Sequence, residues 1–204
     1  MASERAREFF DGLWRDGDPW ELETSDYDRE SYDRQLALLG GRRYRYALEL
    51  GCAAGAFTER LAGLCDSVLA VDVSAGAIGR ARERGLPPTV EWRVADAIEL
   101  DPVDEGPFDL VVVSETIYYL GWLNPFYDVA WLAHRLAEAL EPGGRLLLAN
   151  TILGDEQGLE TPWLIWTYRD LFRNVGLELE REERLAGEKG GAAMEALISL
   201  FRKG

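Results

Sequence analysis

A glycine-rich turn between an apolar run and a helical pattern is the feature that most constrains the fold of this chain. The turn reads Gly-Cys-Ala-Ala-Gly at 51–55; it follows the apolar run 46–48, and a helical pattern opens at Thr58. A strand, a glycine-rich turn and a helix in this order allow a ligand to approach the backbone N–H groups at the helix N-terminus. The sequence therefore predicts an α/β sheet that binds a ligand at the end of its first strand.

An acidic residue marks the end of the next apolar run. Asp72 follows the run 68–71 and lies 21 residues after Gly51. A carboxylate at this separation, at the tip of the second strand, is placed to bind both hydroxyl groups of a ribose. Ile78, just past Asp72, would form one wall of an adenine pocket or belong to the core. The turn and Asp72 together predict a nucleoside-containing cofactor.

Glu49 decides which nucleoside is favoured. It lies two residues before Gly51, where a carboxylate would face the charged middle of the ligand. The pyrophosphate of a nicotinamide dinucleotide would be repelled there, whereas the ammonium and sulfonium of S-adenosylmethionine would be attracted. The turn also reads Gly-x-Ala-x-Gly, which differs from the Gly-x-Gly-x-x-Gly spacing of dinucleotide sites. These residues favour S-adenosylmethionine as cofactor and S-adenosylhomocysteine as its product.

The chain divides into an N-terminal segment, 1–40, and a larger segment, 41–204. The first is rich in charged and aromatic residues and indicates two short helices around a loop at 17–19. The second of these helices should run over 25–39 and stop at Gly40-Gly41, a helix C-terminal signal.

Strand and helix patterns alternate over the larger segment. Candidate strands are 46–50, 67–72, 90–94, 108–114 and 145–150. Candidate helices are 57–65, 75–84, 125–140 and 163–174. This alternation predicts a right-handed, doubly wound α/β sheet. Residues 177–180 and 196–201 alternate with period two and are typical of an antiparallel pair, joined across 187–191.

Four predicted strand ends carry polar side chains, and in an open α/β sheet they should converge on one cleft. These ends are at Glu49, Asp72, Asp96 and Ser114-Glu115. Asp96 would accept a hydrogen bond from the adenine amino group, with Ala97 and Ile98 beside the ring. Alternatively, Asp96 would cap the next helical turn.

The N-terminal segment is expected to close over the cofactor as a helical cap or lid. Trp20, Arg29 and Tyr32 would contribute to it, and Arg29 would pair with the cofactor carboxylate. A plain docking helix would show the same aromatic residues, so both interpretations stay open. The complete set of predicted cofactor-binding residues is Trp20, Arg29, Tyr32, Glu49, Gly51, Cys52, Ala53, Gly55, Phe57, Asp72, Val73, Ile78, Asp96, Ala97, Ile98 and Ser114.

Residues 114–119 follow the fourth strand and are expected to face the methyl group of the cofactor. Glu115 would hold a substrate amine and take its proton, while Tyr118 and Tyr119 would stack on a sugar or orient its hydroxyl groups. The alternative assigns one of the two tyrosines to the core. The predicted catalytic residues are therefore Glu115, Tyr118 and Tyr119.

The sequence offers no ligand set for a metal. Its single histidine, His134, falls inside a helical pattern, and single acids at separate strand ends do not form an oxygen cage. Cys52 and Cys65 lack metal-ligand spacing and are expected to be reduced thiols. A neutral amine acceptor needs neither a metal nor a strong base, whereas an alcohol usually needs one of them. The lack of a metal-ligand set therefore favours N-methylation over O-methylation.

The charge of the chain argues against several partners. The formal net charge is −15 at pH 7 and the pI is about 4.5, so phosphate backbones and anionic lipids would be repelled. No apolar run approaches the roughly 18 residues of a membrane span, and residues 1–8 lack a signal core. We expect a cytoplasmic protein, monomeric or weakly dimeric, with a small-molecule or oligosaccharide acceptor and no nucleic-acid or membrane partner.

These motifs resemble those of class I S-adenosylmethionine-dependent methyltransferases, from about Tyr44 to the C-terminus. The residues that carry the resemblance are 48–55, 71–74, 95–97, 108–111 and 140–144. It implies a doubly wound, seven-stranded, mostly parallel sheet with one antiparallel strand, the Rossmann-like methyltransferase fold. Segment 41–204 would be the methyltransferase domain, and with its N-terminal helical cap the chain would form one compact domain.

Within this superfamily the chain is most similar to NodS-like enzymes, the N-methyltransferases of lipochitooligosaccharide synthesis. The similarity is carried by 18–20, 28–30, 51–59, 77–82 and 118–121. It implies methylation of an amine on a deacetylated aminosugar. The insertion 151–162 and the C-terminal strand pair have no counterpart in this resemblance, which leaves the acceptor open. The alternatives are an O-methyltransferase of a small metabolite or sugar and a non-catalytic S-adenosylmethionine-binding module.

Overall fold

The computed structural model describes residues 2–154, 159–160 and 162–204. The helices are α1 (Ala2–Leu13), α2 (Asp26–Leu39), α3 (Ala56–Leu61), α4 (Ala75–Glu83), α5 (Pro102–Glu105), α6 (Ile117–Leu123), α7 (Phe126–Ala139) and α8 (Pro162–Asn174), with a 3-10 turn at Trp14–Asp16. The strands are β1 (Tyr44–Leu50), β2 (Cys65–Asp72), β3 (Val90–Val94), β4 (Phe108–Ser114), β5 (Leu140–Gly154), β6 (Leu159–Glu160), β7 (Leu177–Lys189) and β8 (Ala192–Lys203).

The strands form one mixed sheet in the order β3-β2-β1-β4-β5-β8-β7, with β6 paired to the end of β5. Strands β1 to β5 pair in parallel, whereas β8 runs antiparallel to both of its neighbours, β5 and β7. The expected doubly wound sheet of seven strands with one antiparallel strand is therefore confirmed. The two-residue β6 is an addition that no pattern in the sequence indicated.

The strand order reverses between β1 and β4, and this switch point fixes where a ligand crevice lies. Leu48 of β1 pairs with Leu69 of β2 on one side and with Val111 of β4 on the other. Because the three strands are parallel and in register, their carboxyl ends bring Glu49 and Asp72 to the same edge of the sheet.

Side chains on the central strands alternate between two apolar layers. In β4, Val111 and Val113 belong to one buried cluster, which α7 and α8 complete, while Leu110 and Val112 belong to the other, which α2, α3 and α4 complete. Since both faces are covered, these strands are continuous apolar runs. Burial on both faces holds the carboxyl edge of the sheet in place beneath the crevice.

The N-terminal segment folds into helices separated by a loop, as the sequence indicated. The Ser25 hydroxyl caps α2 by accepting a hydrogen bond from Asp28 N at 3.2 Å, and Gly40 ends the helix with φ of 72°. Helix α1 lies against α4, and α2 lies against β7 and β8. The segment thus packs on the rest of the chain; its division from 41–204 as a cap remains a prediction.

Two element bounds differ from the sequence pattern. Helix α3 ends at Leu61 rather than at residue 65, because the chain turns there with a hydrogen bond from Gly63 N to Arg60 O of 3.2 Å. The hairpin strands β7 and β8 are at least twice as long as the runs 177–180 and 196–201, since the charged residues of β7 pair through their backbone while their side chains face outward.

The insertion 151–162 is described in part. Strand β5 continues into it as far as Gly154, which pairs with Leu159 of β6. Residues 155–158 and 161 lie outside the described residues, so the expectation about the insertion stays open there.

Candidate functional site

The glycine-rich turn takes a conformation that requires glycine at two positions. Gly51 and Gly55 have φ values of +73° and +81°, in the left-handed region. A Cβ on Gly51 would lie 2.1 Å from Thr116 Oγ1, and one on Gly55 would lie 2.6 Å from Trp92 Cη2. Ala53, between them, also has a positive φ of 50°. Close packing and backbone conformation therefore both exclude a side chain at the two glycines.

Asp72 joins the turn to the end of β2. Its Oδ2 accepts a hydrogen bond from Ala53 N at 2.9 Å, and its Oδ1 accepts one from Ser74 N at 2.8 Å, with Val73 half-exposed between them. Burial raises the pKa of Asp72 to about 6; the N–H donors oppose the rise and the charge of Asp11 adds to it. Each carboxylate oxygen has two lone pairs, so Asp72 retains acceptor capacity for ribose hydroxyls.

Glu49 is a buried carboxylate at the end of β1. The residue is 2% exposed, and its Oε2 has no hydrogen-bond partner among the residues that the structure describes. Burial raises the pKa of Glu49 to about 8; the Thr58 hydroxyl opposes this rise, and the charge of Asp72 adds to it. A buried carboxyl without a partner is unfavourable, and a cationic ligand group would relieve that. The position therefore suits an ammonium or a sulfonium.

Four of the predicted cofactor residues belong to the buried layer beneath the turn. They are Tyr32, Cys52, Phe57 and Ile78. Ile78 is fully buried and packs in the core, the alternative that the sequence left open, and a contact with an adenine remains a prediction. The Tyr32 and Phe57 rings lie 5.1 Å apart between centroids and hold α2 against α3. Burial raises the pKa of the Cys52 thiol, so this cysteine stays protonated inside the turn.

Asp96 and Ala97, which were predicted to lie beside an adenine, have different surroundings in the structure. Asp96 Oδ1 accepts a hydrogen bond from Ile98 N at 2.9 Å, and Asp96 O accepts bonds from Glu99 N and Leu100 N. This is the capping role that the sequence left as an alternative. Ala97 packs in the first core layer, the buried cluster that α7 and α8 complete. A further contact of Asp96 with an adenine remains a prediction.

Two cavities lie near the strand ends. One, of about 310 Å³, is lined by Trp14, Asp18, Glu23, Ala54, Arg80, Glu83 and Arg84. The other, of about 250 Å³, is lined by Ile98, Glu99, Leu100, Asp101, Asp128, Trp131, Leu132 and Arg135. Among these lining residues, Ile98 alone was predicted to bind the cofactor. The strand-end carboxylates are instead approached by the N-terminal segment.

Helix α1 crosses the carboxyl edge of the sheet, a contact that the sequence analysis missed. Asp11 Oδ1 accepts hydrogen bonds from Ser74 Oγ at 2.6 Å and from Gly76 N at 3.1 Å, at the start of α4. Elsewhere on the helix, Arg7 pairs with Glu99 at 3.1 Å. These contacts hold α1 over the ends of β2 and β3.

Aromatic side chains connect α1 with the predicted acceptor side. Between ring centroids, Phe10 lies 5.2 Å from Tyr119 and 6.3 Å from Trp20, and Trp20 lies 6.0 Å from Tyr119. Trp14 also approaches Trp20, at 5.7 Å. The structure therefore brings Trp20, predicted for the lid, to Tyr119, predicted for the acceptor side. The available signal for α1 was its aromatic content, which did not reveal a partner.

Arg29 is engaged near the start of α2. Its guanidinium donates hydrogen bonds to Glu23 O at 3.3 Å and to Thr24 O at 3.0 Å, and it pairs with Asp26. The structure thus gives Arg29 a local role in holding the loop before α2. Pairing of Arg29 with a cofactor carboxylate remains a prediction, and it would compete with these contacts for the same donors.

Glu115 follows β4 directly and has a positive φ of 50°. Its Oε2 accepts a hydrogen bond from Thr151 N at 2.9 Å. Burial raises the pKa of Glu115 to about 7; the Thr151 donors oppose this rise and the charge of Asp28 adds to it, while Lys189 lowers it. A carboxyl that titrates near 7 is suited to take a proton from an amine. The buried hydroxyl of neighbouring Ser114 has no hydrogen-bond partner in the described part of the chain.

The two tyrosines after Glu115 have different surroundings. Tyr118 packs against the first core layer, and its backbone N–H donates to Asn150 Oδ1 at 3.4 Å. Tyr119 lies in the aromatic cluster with Phe10 and Trp20. Tyr118 is thus the one of the two that packs on the core, although it is only partly buried, and roles of both tyrosines toward an acceptor remain predictions.

A buried polar group on α2 was also missed. Asp28 is 8% exposed and pairs with Lys189 at 2.5 Å, although 161 residues separate them. Tyr27 is 6% exposed, and within residues 2–154, 159–160 and 162–204 its hydroxyl has no hydrogen-bond partner. Burial raises the pKa of Tyr27, and the charges of Glu115 and Asp28 add to this rise. No local pattern relates such distant residues; the signal available was the polar face of α2.

The described residues hold no cluster of three or more histidine, cysteine, aspartate or glutamate side chains that could bind a metal. Across the same residues, no helix is long and apolar enough to cross a membrane. His134 pairs with Glu138 at 3.4 Å on the outer side of α7, a surface position as the sequence indicated.

The strand order, the glycine-rich turn at the switch point and the carboxyls at the ends of β1 and β2 are those of class I S-adenosylmethionine-dependent methyltransferases. A family model, described as nodulation protein S (NodS), matches residues 8–131, which is more than half of the chain. The chain belongs to the NodS family.

Curated proteins of this family match half to two thirds of the chain. Nodulation protein S of Rhizobium tropici is 38% identical over 135 residues, which cover 65% of this chain and 55% of that protein. Nodulation protein S of Bradyrhizobium diazoefficiens is 43% identical over 107 residues, which cover 50% and 49%. The chain thus spans about half the length of the curated relatives that it matches.

A solved structure extends the likeness to nearly the whole fold. N-methyltransferase NodS from Bradyrhizobium japonicum WM9, in complex with S-adenosyl-L-homocysteine, has a TM-score of 0.80 and 26% identity, covering 97% of this chain and 98% of that chain. The uncovered 3% is about six residues, far fewer than the hairpin β7–β8 contains. The expectation that the C-terminal strand pair has no counterpart in the family is therefore wrong.

Proposed function

We propose that the chain is an S-adenosylmethionine-dependent N-methyltransferase whose acceptor is the amine of an aminosugar, of the deacetylated chitooligosaccharide class. The observation that carries the proposal is Glu49, a buried carboxyl with an unpartnered oxygen beside the glycine-rich turn and Asp72. The solved NodS relative, an N-methyltransferase described with bound S-adenosyl-L-homocysteine, supports the cofactor and the kind of reaction. The aminosugar is the acceptor that the resemblance to NodS-like enzymes implies.

The residues at the strand ends fit the chemistry of this cofactor. An ammonium or a sulfonium beside Glu49 would favour its ionised form and pair with it, whereas a pyrophosphate would gain nothing from this carboxyl. Asp72 retains lone pairs for two ribose hydroxyls, and the turn between Gly51 and Gly55 leaves backbone without side chains at the start of α3. The cofactor, when bound, supplies a methyl group activated on sulfur.

Glu115 is the residue that we assign to the proton of the acceptor. The acceptor arrives as an ammonium, and the Glu115 carboxylate takes one proton to leave a neutral amine. The amine nitrogen then forms a bond to the methyl carbon as the bond from that carbon to sulfur breaks. The product is a methylated ammonium, and Glu115 returns its proton to solvent. Alignment of nitrogen, carbon and sulfur supplies much of the rate in such a displacement.

The N-terminal segment would exclude water from this reaction. Asp11 fastens α1 to the start of α4, while Phe10 and Trp20 meet Tyr119. A covered site strengthens the attraction between the buried carboxyls and the cationic groups of the ligands. We therefore assign the closing role to α1 together with Trp20.

The proposal is tested with a methyl donor labelled on its methyl group and two acceptors. One is a chitooligosaccharide that carries a single free amine, and the other is its fully acetylated counterpart. We expect label transfer to the first and none to the second, with transfer that requires both the donor and the protein.

Each alternative has a distinct outcome in the same assay. Equal labelling of both acceptors would mean that a hydroxyl group receives the methyl and would overturn N-methylation. Binding of S-adenosylhomocysteine in calorimetry without transfer to amine or hydroxyl acceptors would favour the non-catalytic binding module. Tight binding of a nicotinamide dinucleotide would overturn the cofactor assignment itself.

A further inference from the structure

Helix α2 buries polar side chains on the face that it turns toward the sheet. This polar stripe comprises Tyr27, Asp28, Ser31, Tyr32 and Gln35. Their spacing places them along one side of the helix, where a packed helix ordinarily has apolar residues. Tyr27 Oη and Gln35 Oε1 are buried and have no hydrogen-bond partner among the described residues. Buried polar atoms without a partner are rare in folded proteins and require an explanation, and a ligand that completes them supplies one.

The stripe adjoins the carboxyls of the proposed active site. Burial and nearby negative charges raise the pKa of Tyr32 above its usual range. The contributing carboxyls are Asp28, Glu49, Glu115 and Asp18. The charges of Glu49, where the methyl donor would bind, and of Glu115, where the acceptor nitrogen would arrive, therefore both act on the stripe.

The end of the hairpin β7–β8 closes over the same stripe. Lys189 is the last residue of β7, and its Nζ lies 2.5 Å from Asp28 Oδ2, with the two side chains 20% and 11% exposed. Its ammonium also acts on Glu115, whose pKa it lowers. Gly187 covers Tyr27 so closely that a Cβ there would lie 2.7 Å from Tyr27 Cδ2. Asp28 thus pairs with an ammonium group that belongs to the protein, and the charge of this group also acts on Glu115.

We propose that Tyr27, Asp28 and Glu115 form the subsite for the acceptor ammonium, and that Lys189 occupies this subsite until the acceptor displaces it. The inference rests on the proposed function, because it names the group by which the acceptor is recognised. Exchange of one ammonium for another leaves the charge of the subsite unchanged, so neither carboxylate becomes unpaired. The Tyr27 hydroxyl gains a partner from the acceptor. Lys189 reaches solvent because it stands next to the Gly190-Gly191 turn.

This subsite explains how a free amine would be distinguished from an acetylated one. An acetamido group is neutral, so if it took the place of the Lys189 ammonium it would leave the buried carboxylate of Asp28 without a charged partner. Lack of a charged partner for buried charges is strongly unfavourable. Selectivity for the amine then arises from Lys189 and Asp28, in addition to the need for a nucleophilic nitrogen.

Kinetics of two variants test the subsite. With the mono-deacetylated chitooligosaccharide as acceptor, Tyr27→Phe and Asp28→Asn should each raise KM about tenfold or more, while calorimetry finds unchanged affinity for S-adenosylhomocysteine. Tyr27→Phe should melt at or above the temperature of the parent protein, because it removes a buried hydroxyl that has no partner. A purely structural tyrosine would instead lower the melting temperature and leave KM unchanged. Glu30→Gln, on the same helix but exposed and paired with Arg34, is the control and should change neither quantity.

A chemical readout tests the displacement without turnover. The sequence has two lysines, Lys189 and Lys203, so peptide mapping after trace acetylation reports both in one sample. Addition of the amine oligosaccharide, with S-adenosylhomocysteine present, should raise the acetylation of Lys189 relative to Lys203 at least severalfold. The ratio cancels reagent that the acceptor amine consumes. The acetylated oligosaccharide should not change the ratio.

The outcomes separate this inference from the proposed function. The subsite is overturned, and N-methylation stands, if the amine acceptor is methylated and both Tyr27→Phe and Asp28→Asn keep the KM of the parent. The same conclusion follows if it is methylated but does not raise the ratio of Lys189 to Lys203 acetylation. A raised Lys189 ratio without any methylation supports the subsite and overturns the reaction. Absence of both binding and methylation of the amine acceptor overturns the two together.

Discussion

Replacement of Glu49 by glutamine is expected to stabilise the cofactor-free protein at pH 8 while it abolishes tight cofactor binding. Burial raises the pKa of Glu49 from 4.5 to about 8, so the folded state binds a proton that the unfolded state releases. For a carboxyl with a raised folded pKa, the stabilising contribution is complete below pH 4.5 and is lost as the pH rises toward 8. Glutamine is neutral at every pH in this range, so the variant does not lose this stabilising contribution.

The magnitude follows from the two pKa values. At about 1.4 kcal/mol per pH unit, the difference between 4.5 and about 8 corresponds to roughly 5 kcal/mol, of which about 3 kcal/mol is lost between pH 5 and pH 8. Asp72 and Glu115 titrate in the same direction, since burial raises their pKa to about 6 and about 7. The difference between parent and variant cancels their contributions and isolates Glu49.

Urea unfolding of the cofactor-free proteins at pH 5 and pH 8 measures this difference. Parent and Glu49→Gln should have similar free energies of unfolding at pH 5, and the variant should be more stable by about 3 kcal/mol at pH 8. Glu178→Gln, at an exposed position of β7, is the matched control. Affinity of the Glu49 variant for S-adenosylhomocysteine should fall by more than tenfold. The account of Glu49 would be refuted if parent and variant differed in free energy of unfolding by the same amount at both pH values, or if the variant bound S-adenosylhomocysteine as tightly as the parent.

Three further outcomes are expected. Gly51→Ala should lower the free energy of unfolding by about 2 kcal/mol or more in urea titrations, because its Cβ would meet Thr116 Oγ1 at 2.1 Å and its φ is positive. Gly79→Ala on α4 is the control and should be neutral or stabilising, because an added Cβ there would meet no atom of another described segment within 4 Å. Asp72→Asn should lower the affinity for S-adenosylhomocysteine more than tenfold in calorimetry and also lower the melting temperature. If both quantities equalled those of the parent, Asp72 would not belong to the site. Glu115→Gln should retain cofactor affinity and lose roughly 10²–10⁴ in rate; the parent rate should rise with pH through about 7 as the carboxylate forms, and full activity in the variant would exclude Glu115 as the base.

The fold could be predicted because its determinants are local. Gly51 and Gly55 have positive φ values, a local requirement that the sequence pattern shows, although the side chains that crowd them, Thr116 and Trp92, are distant in sequence. Asp72 ends β2, as the apolar run before it indicates. The apolar run 108–113 is continuous since both faces of β4 are covered. Spacing and composition are therefore sufficient to place the parallel strands, the turn and two of the carboxyls, whereas β6 and the full length of the hairpin were not indicated.

The remaining site residues depend on contacts between distant segments. Asp11 reaches Ser74 across 63 residues, and Asp28 reaches Lys189 across 161. Neither pair has a periodic or spaced pattern that would relate its members. Arg29 shows the converse difficulty, because its type suited a carboxylate but the carbonyls of its own loop engage it. Position at a strand end is thus predictable, whereas the choice of partner follows from the assembled fold.

Linkage between protons and ligand binding follows from the same buried carboxyl. At pH 7 Glu49, with a pKa of about 8, is mostly protonated in the free protein, whereas an ammonium or sulfonium beside it stabilises the carboxylate. Binding of S-adenosylhomocysteine should therefore release nearly one proton at pH 7 and much less at pH 9, so affinity rises with pH up to about 8. Calorimetry in two buffers of different ionisation enthalpy measures the release directly, and Glu49→Gln should lose it. Proton uptake, or equal release by parent and variant, would mean that the cation of the ligand does not lie against Glu49. The burial that destabilises the free protein is, in this account, the same property that selects a positively charged methyl donor.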